Sequence, residues 1–297
     1  MNLEFKVSEN NNYFNIKEIL KCHFEISDRL LVKLKKNQNI FLNGVPAYVS
    51  TPVKNNDLVS INLDFEEDVE NIVPTKMDLN IIFDDDALLI VNKPYGLPVH
   101  PSILHFKDSL SNGIKYYFDT IKLNKKIRPV NRLDKDTSGI VLFAKNEYIQ
   151  ESLIKQMKNN TFKKEYLAIL TGTLTKQNGT INAPISRKEG SIIEREINPI
   201  GDLAITHFEL IKNFTKNNQE LSLVKLVLET GRTHQIRLHS KHIGYPILGD
   251  SLYGSSSDLI SRQALHAYKI SFIHPISKKQ IILEIDLPED MKLLLEK

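Results

Sequence analysis

The stretch Asn131-Arg132-Leu133-Asp134-Lys135-Asp136-Thr137-Ser138-Gly139 runs directly into five apolar residues, Ile140-Val141-Leu142-Phe143-Ala144. This junction constrains the fold more than any other part of the chain. A short apolar run bounded by turn residues reads as a buried strand, and Gly139 releases the chain into it. Asp134 stands in the polar turn at the mouth of that strand, two residues after Arg132. Side chains anchored at the end of a buried strand are held rigidly, as chemistry requires.

Upstream, the pattern predicts a small unit of its own. Ile16, Ile19 and Leu20, then Leu30, Leu31 and Leu34, recur at helical spacing. Ser27 is placed to cap the second helix, and Asp28 to favour its dipole. Ile40-Phe41-Leu42 reads as a strand meeting the Asn43-Gly44 turn, and Leu58-Val59-Ser60-Ile61-Asn62-Leu63 alternates as a strand does. The acidic run Glu66-Glu67-Asp68 with Glu70, closed by Pro74, marks a linker. The expected organisation is a small α+β unit over 1–64, a linker over 65–77 and a main domain over 78–297.

In the main domain, Ile81-Ile82-Phe83 and Leu88-Leu89-Ile90-Val91 read as a hairpin across an Asp84-Asp85-Asp86 turn, followed by a proline-rich loop over 92–101. A helix is predicted over 147–158 and strands near 164–171, 205–213 and 221–229. A second helix follows over 233–242, then strands near 268–273 and 280–286 and a short terminal helix. Helices and antiparallel strands interleave without a regular βαβ period. The fold class is therefore α+β, with a mixed, mainly antiparallel central sheet flanked by helices.

Composition removes several functional classes. The one cysteine, Cys22, excludes an internal disulfide and fits a reducing compartment. No apolar run approaches the ~18 residues of a membrane span. The opening Met-Asn-Leu-Glu-Phe-Lys carries no signal-peptide core. A cytoplasmic protein without a membrane partner is expected. The net charge of +3 says little by itself about a polyanionic partner, but cations cluster at Lys33, Lys35 and Lys36 and again from Arg232 to Lys241.

Three segments carry candidate chemistry: the Asp134 turn; Lys163-Lys164-Glu165-Tyr166-Leu167-Ala168; and Glu229-Thr230-Gly231-Arg232-Thr233-His234-Gln235-Ile236-Arg237-Leu238-His239. In the third, Gly231 permits close backbone approach and Thr233 is placed to cap a helix. Arg232 and Arg237 lie on different sides of that helix, so one can face out and the other in. An opposite charge keeps a buried carboxylate ionised, and an ionised carboxylate is a competent nucleophile. A tyrosine can stack on a base and transfer a proton. With the cationic surface, these residues point to a reaction on a nucleobase. His234, His239 and His242 suggest zinc, but no cysteine or close carboxylate completes a ligand set. The Asp84–Asp86 triplet reads as a turn rather than a cation site.

These segments resemble the RluA/RluD family of pseudouridine synthases. That family carries His-Arg-Leu-Asp-x-x-Thr-Ser-Gly, present here from Asn131 to Gly139 with asparagine in place of histidine. It carries Lys-x-Tyr-x-Ala, here Lys164, Tyr166 and Ala168, and Gly-Arg-Thr-His-Gln-Ile-Arg, here Gly231 to Arg237. Val91-Asn92-Lys93-Pro94-Tyr95-Gly96-Leu97, Leu248-Gly249-Asp250-Ser251-Leu252-Tyr253-Gly254 and Ala264-Leu265-His266-Ala267 also resemble it, so that the likeness covers about 79–290. The N-terminal unit, through Ser27, Arg29, Leu30, the Lys33/Lys35/Lys36 set and Asn43-Gly44, resembles an S4 RNA-binding domain. Asn56-Asp57 stands where that domain usually has Gly-Asp.

The resemblance implies the pseudouridine synthase fold and isomerisation of uridine to pseudouridine in RNA on a base flipped out of its stack. It makes Asp134 the catalytic aspartate, Tyr166 the tyrosine against the uracil, and Arg237 the ion-pair partner of Asp134. Arg132 would fill the space left by the flipped base. Thr137, Gly231, Arg232, His234 and Gln235, with Arg29, Lys33 and Lys36 of the N-terminal unit, would contact RNA. It implies no cofactor and no metal, and a monomer is expected. Large-subunit ribosomal RNA is the favoured target and transfer RNA the alternative. A noncatalytic RNA-binding or ribosome-assembly protein, or a hydrolase using Asp134 as a base, are the competing functions. Asn131 puts fine positioning or substrate choice in question rather than the reaction.

Overall fold

The computed structural model describes residues 1–65, 67 and 72–296. Of the acidic run read as a linker, Glu66, Asp68 and Glu70 lie outside the described residues. The predicted buried strand spans Ser138–Ala144, and every one of its residues is buried. Its side chains divide by alternation between two apolar layers. Val141 and Phe143 join one core, while Ile140, Leu142 and Ala144 join the other. The neighbouring strand Leu88–Lys93 splits in the same way, with Leu89 and Val91 on one face and Leu88 and Ile90 on the other. The first face is covered by Leu110, Ile114 and Phe118 of helix Leu110–Thr120 and by Met291 and Leu294 of the terminal helix Glu289–Leu295. The second is covered by Tyr148, Ile149 and Leu153 of helix Glu147–Lys158. Each such buried large side chain stabilises the fold by about 1.5–3 kcal/mol.

The central sheet has the order Asn178–Asn182, Ile205–Lys216, Gln219–Leu228, Lys163–Thr171, Leu265–Ile273, Ser138–Ala144, Leu88–Lys93, Ile81–Asp84. It is antiparallel apart from the short pairing of His266 and Ala267 with Ser138 and Gly139. At that point Gly139 adopts φ +121°, and a Cβ there would stand 2.3 Å from the Ala267 carbonyl oxygen. Only glycine lets the two backbones meet so closely at the foot of the Asp134 turn. The mainly antiparallel α+β architecture is as the periodicity indicates.

Asn131 accounts for itself through local bonding. Its side-chain amide donates to the Ile140 carbonyl and accepts from the Leu142 N–H, both at 2.9 Å. It imitates a peptide group and extends the ladder along the Ser138–Ala144 strand. At the position where histidine is usual, this chain therefore carries a backbone clamp.

Several elements differ from the sequence expectation. Helix Leu110–Thr120 and the hairpin of Ile185–Arg187 with Arg195–Ile197 were not indicated by apolar periodicity. The helix predicted over 233–242 begins at Gln235. Its N-cap is His234 rather than Thr233, in the left-handed conformation (φ +58°).

Residues 1–63 form a four-stranded sheet ordered Asn2–Lys6, Leu58–Asn62, Ile40–Leu42, Val45–Pro46, covered by helical turns. Ser27 caps helix Asp28–Lys36 by accepting from the Leu30 N–H. The unit packs into the same apolar layer as helix Glu147–Lys158 and is pinned to it by polar contacts. Ser27 Oγ donates to Glu151 at 2.7 Å, Arg29 and Lys33 both pair with Glu147, and Lys155 pairs with Glu25 at 2.7 Å.

Candidate active site

The turn over 131–137, strand Lys163–Thr171 and the entry to helix Gln235–His242 converge on one cavity of about 860 Å³. Asp134, Arg132, Tyr166, Lys164 and His234 all line it. The Thr137 N–H donates to the Asp134 carbonyl at 3.1 Å and closes the turn. The Asp134 side chain is 29% exposed, open to the cavity on one side and to Arg237 on the other.

Arg237 Nη1 donates to Asp134 Oδ2 at 3.2 Å. Its Nε and Nη2 form a two-pronged bond with Asp250, 2.8 Å on each prong. Asp250 also accepts the Leu252 and Tyr253 N–H groups, each at 3.1 Å. Burial opposes the Arg237 charge, but the Asp250 and Asp134 carboxylates outweigh it, so the guanidinium pKa is raised. Burial would raise the Asp250 pKa. The Arg237 bonds and the two backbone donors reverse this and hold it below the ordinary carboxylate value. Arg237 is thus a fixed cation with one fully buried partner and one partner facing the cavity.

Tyr166 is buried, and burial together with the Asp134 charge raises the phenol pKa well above its usual value. His234 brings its Nε2 to 3.8 Å from Asp134 Oδ2, while its Nδ1 meets the Tyr253 hydroxyl at 3.0 Å. The left-handed backbone at His234 turns the ring toward Asp134, a conformation that non-glycine residues adopt at some energetic cost. Burial lowers the His234 pKa, although Asp134 pulls the other way. The imidazole is therefore neutral at pH 7.

The remaining site candidates divide. Arg132 is exposed at the cavity wall. Arg232 is exposed, with Nε donating to the Leu203 carbonyl at 3.0 Å and Nη1 3.5 Å from Asp202. Gly231 lies on the cavity wall. Gln235 is buried and fully engaged: its amide N–H groups go to Ile205 and Thr206, and its oxygen accepts from Thr230 and the Arg232 N–H. It shapes the 229–234 loop from behind. Thr137 is buried as well, its hydroxyl meeting Gln263 at 3.3 Å. Arg29 and Lys33 lie on the helix that faces Glu147, away from the cavity residues, and Lys36 is exposed on the same helix. His239 uses both ring nitrogens, toward Thr206 and the Ala183 carbonyl. Among the described residues no group of three or more His, Cys, Asp and Glu side chains converges as a metal site.

Sequence reasoning assigned no role to two residues that hold the site. Asp250 is one. The other is Lys93, which is fully buried and donates to the Pro94, Leu97 and Lys135 carbonyls at 2.8–2.9 Å. It ties the proline-rich loop to the Asp134 turn from below. The only sequence signal for either was membership in a family-like stretch. Burial lowers the Lys93 pKa to about 7, against the attraction of Asp136. The unfolded lysine stays protonated to about 10.5, so the unfolded chain binds more protons across that interval. The protein should therefore gain stability as pH rises from about 7 to 10, by up to about 1.4 kcal/mol per unit. In Lys93→Met this slope should vanish, and three carbonyls lose their donor at a cost of about 2–4 kcal/mol. Denaturant titrations at pH 6, 8 and 9.5 measure both effects; a slope retained in Lys93→Met assigns it to another group.

Residues 87–242 match the RNA pseudouridylate synthase family. A Bacillus subtilis protein named as the uncharacterized RNA pseudouridine synthase YhcT is 39% identical over 290 residues, covering 98% of this chain and 95% of that protein. Ribosomal large subunit pseudouridine synthase D of Escherichia coli K12 is 33% identical over 275 residues, covering 88% and 82%. Among solved structures, human RNA Pseudouridylate Synthase Domain Containing 1 superposes with a TM-score of 0.59 at 25% identity, covering 70% of this chain and 83% of that one. A fold and site of this kind define an RNA-modifying isomerase. The chain belongs to the RNA pseudouridine synthase family and is an enzyme that makes pseudouridine.

Proposed function

We propose that this enzyme isomerises specific uridines of large-subunit ribosomal RNA in the cytoplasm, acting as a monomer with Asp134 as its catalytic aspartate. The observation that carries this reading is the Asp134–Arg237 contact of 3.2 Å on the wall of a cavity shared with Tyr166. The reaction breaks the N1–C1′ bond, turns the uracil and forms a C5–C1′ bond. One proton leaves C5 and one is gained at N1, so no redox partner is needed. Asp134 acts at the sugar, either by attack or by aiding glycal formation. Arg237 holds its carboxylate in place without neutralising it, because the guanidinium is already bound to Asp250.

The raised pKa of Tyr166 gives its role a definite form. A phenol of that acidity does not act as a free phenolate at neutral pH. It lines the cavity as a phenol, placed to serve as the proton-transfer group for C5 of the turned uracil. Arg132, exposed at the wall, takes the place of the extruded base in the RNA stack. Residues 1–64 serve as an S4-like unit that adds phosphate contacts away from the site, with Lys36 and the outer part of Arg29 facing the RNA. The ribosomal target is supported by the name of the Escherichia coli relative.

Pseudouridines mapped in ribosomal and transfer RNA from cells with and without the protein test the assignment. Loss of one or more large-subunit positions is expected. Loss confined to transfer RNA would move the assignment to that substrate, and an unchanged map would overturn it.

A further inference from the structure

Buried lysines in this protein have partners. Lys93 meets three carbonyls, Lys125 meets Asp64 at 2.9 Å and the Phe65 carbonyl at 2.7 Å, and Lys145 meets Asp84 at 2.6 Å. Lys164 does not. It is partly exposed, lines the cavity that contains Asp134, and has no hydrogen bond or ion pair with any of the described residues. Burial lowers its pKa, and no neighbouring carboxylate offsets that effect. A half-buried ammonium on the cavity wall without a counter-charge is available to an anionic ligand.

Its surroundings show where that ligand would sit. Lys164 is two residues from Tyr166 on strand Lys163–Thr171, so both project from the same face of the sheet. A Cβ at Gly231 would stand 3.2 Å from the Lys164 amine. The bare glycine therefore lets the Lys164 amine lie close against the 229–234 loop on the cavity wall. The cavity of about 860 Å³ reaches beyond Asp134 to Lys158 and Asn160 at the end of helix Glu147–Lys158. That is near the upper end of the about 300–1,000 Å³ typical of sites for one small molecule. It has room for more of an RNA strand than one flipped nucleoside.

We propose that Lys164, close against the wall at Gly231, is a phosphate subsite that grips the RNA backbone beside the flipped uridine. The inference rests on reading the cavity as the uridine site. Phosphate is the anion that an RNA strand presents at every nucleotide, and flipping swings the adjoining phosphates toward the cavity mouth. The contact positions the strand and carries no sequence information.

The test compares wild type, Lys164→Gln and Lys164→Arg, with an unmodified in vitro transcript of large-subunit ribosomal RNA as probe. Binding is measured across a salt series, and kcat and KM at one salt concentration. Lys164→Gln should raise KM about ten-fold, consistent with the loss of one charge-assisted contact, with kcat within two-fold of wild type. It should also flatten the plot of log affinity against log salt by about 0.7. Lys164→Arg should restore the slope. An unchanged slope and KM in Lys164→Gln, or a loss confined to kcat, would overturn the subsite. So would a Lys164→Arg variant that folds by circular dichroism yet keeps the flattened slope. A wild-type enzyme that forms no pseudouridine in this RNA would instead strike at the proposed target, and the two failures are read separately.

Discussion

Asp134→Asn is expected to lower kcat for pseudouridine formation by at least about 10⁴-fold, with RNA affinity within a few-fold of wild type and stability within about 1 kcal/mol. The chemical loss follows from replacing the carboxylate that faces the cavity beside Arg237 with an amide that can neither attack carbon nor accept a proton. The small structural effect follows from the geometry of Arg237. Its principal bonds are the two at 2.8 Å to Asp250, and these survive the substitution. The Asp134 side chain is 29% exposed, so its ion pair with Arg237 is only partly desolvated and contributes modestly to folding. Single-turnover product formation, filter binding and thermal melting measure the three quantities. Retained turnover would remove Asp134 from the chemistry and leave only a turn residue. Lost affinity with a normal melting curve would make it a binding group and favour the noncatalytic reading.

The parts of this molecule legible in the sequence are those written in local periodicity. The Ser138–Ala144 strand announces itself as an unbroken apolar run between a glycine and a polar asparagine cap. Helix Glu147–Lys158 repeats apolar residues on one face and begins at Asn146, whose side chain accepts from the Ile149 N–H. Helix Leu110–Thr120 lacks such a signal. Its first turn reads Leu-Ser-Asn-Gly, all weak helix formers after the leucine, and it is stabilised instead by Asn112 bonding back to the Ser109 N–H and by Ile114 and Phe118 in the core. Tertiary packing, not propensity, makes it helical. In the site, Asp134, Tyr166 and Arg237 were legible because each lies in a dense motif. Asp250 and Lys93 were not, because their importance lies in partners far along the chain. Asp250 matters through Arg237, and Lys93 through the Lys135 carbonyl 42 residues away. The N-terminal lysine and arginine set shows the converse. A helix face rich in cations reads as an RNA surface, yet Lys33 and Arg29 meet the buried Glu147 of helix Glu147–Lys158.

Arg237→Met should destabilise the protein by about 3–5 kcal/mol, the cost of leaving one member of a buried ion pair without its partner. The charge left behind is Asp250, whose side chain is fully buried. Two backbone N–H groups still reach it, but among the described residues no other cation pairs with it. The same substitution frees the Asp134 carboxylate from its one ion-pair partner within 3.5 Å among the described residues, so turnover should fall by at least about 10²-fold even at temperatures where the variant is folded. Arg237→Lys separates geometry from charge. An ammonium cannot form the planar two-pronged bond to Asp250 while also reaching Asp134, so stability should recover in part and turnover should not. The double variant Arg237→Met/Asp250→Asn separates stability from chemistry. Asparagine keeps an oxygen for the Leu252 and Tyr253 N–H groups and removes the unpaired charge. It should therefore regain at least half of the lost stability while remaining inactive. Chemical denaturation and single-turnover assays of the three variants decide the matter. If Arg237→Met loses less than about 1 kcal/mol, or the double variant is no more stable than the single, the Asp250–Arg237 bond is not what holds the Asp134 carboxylate in its turn.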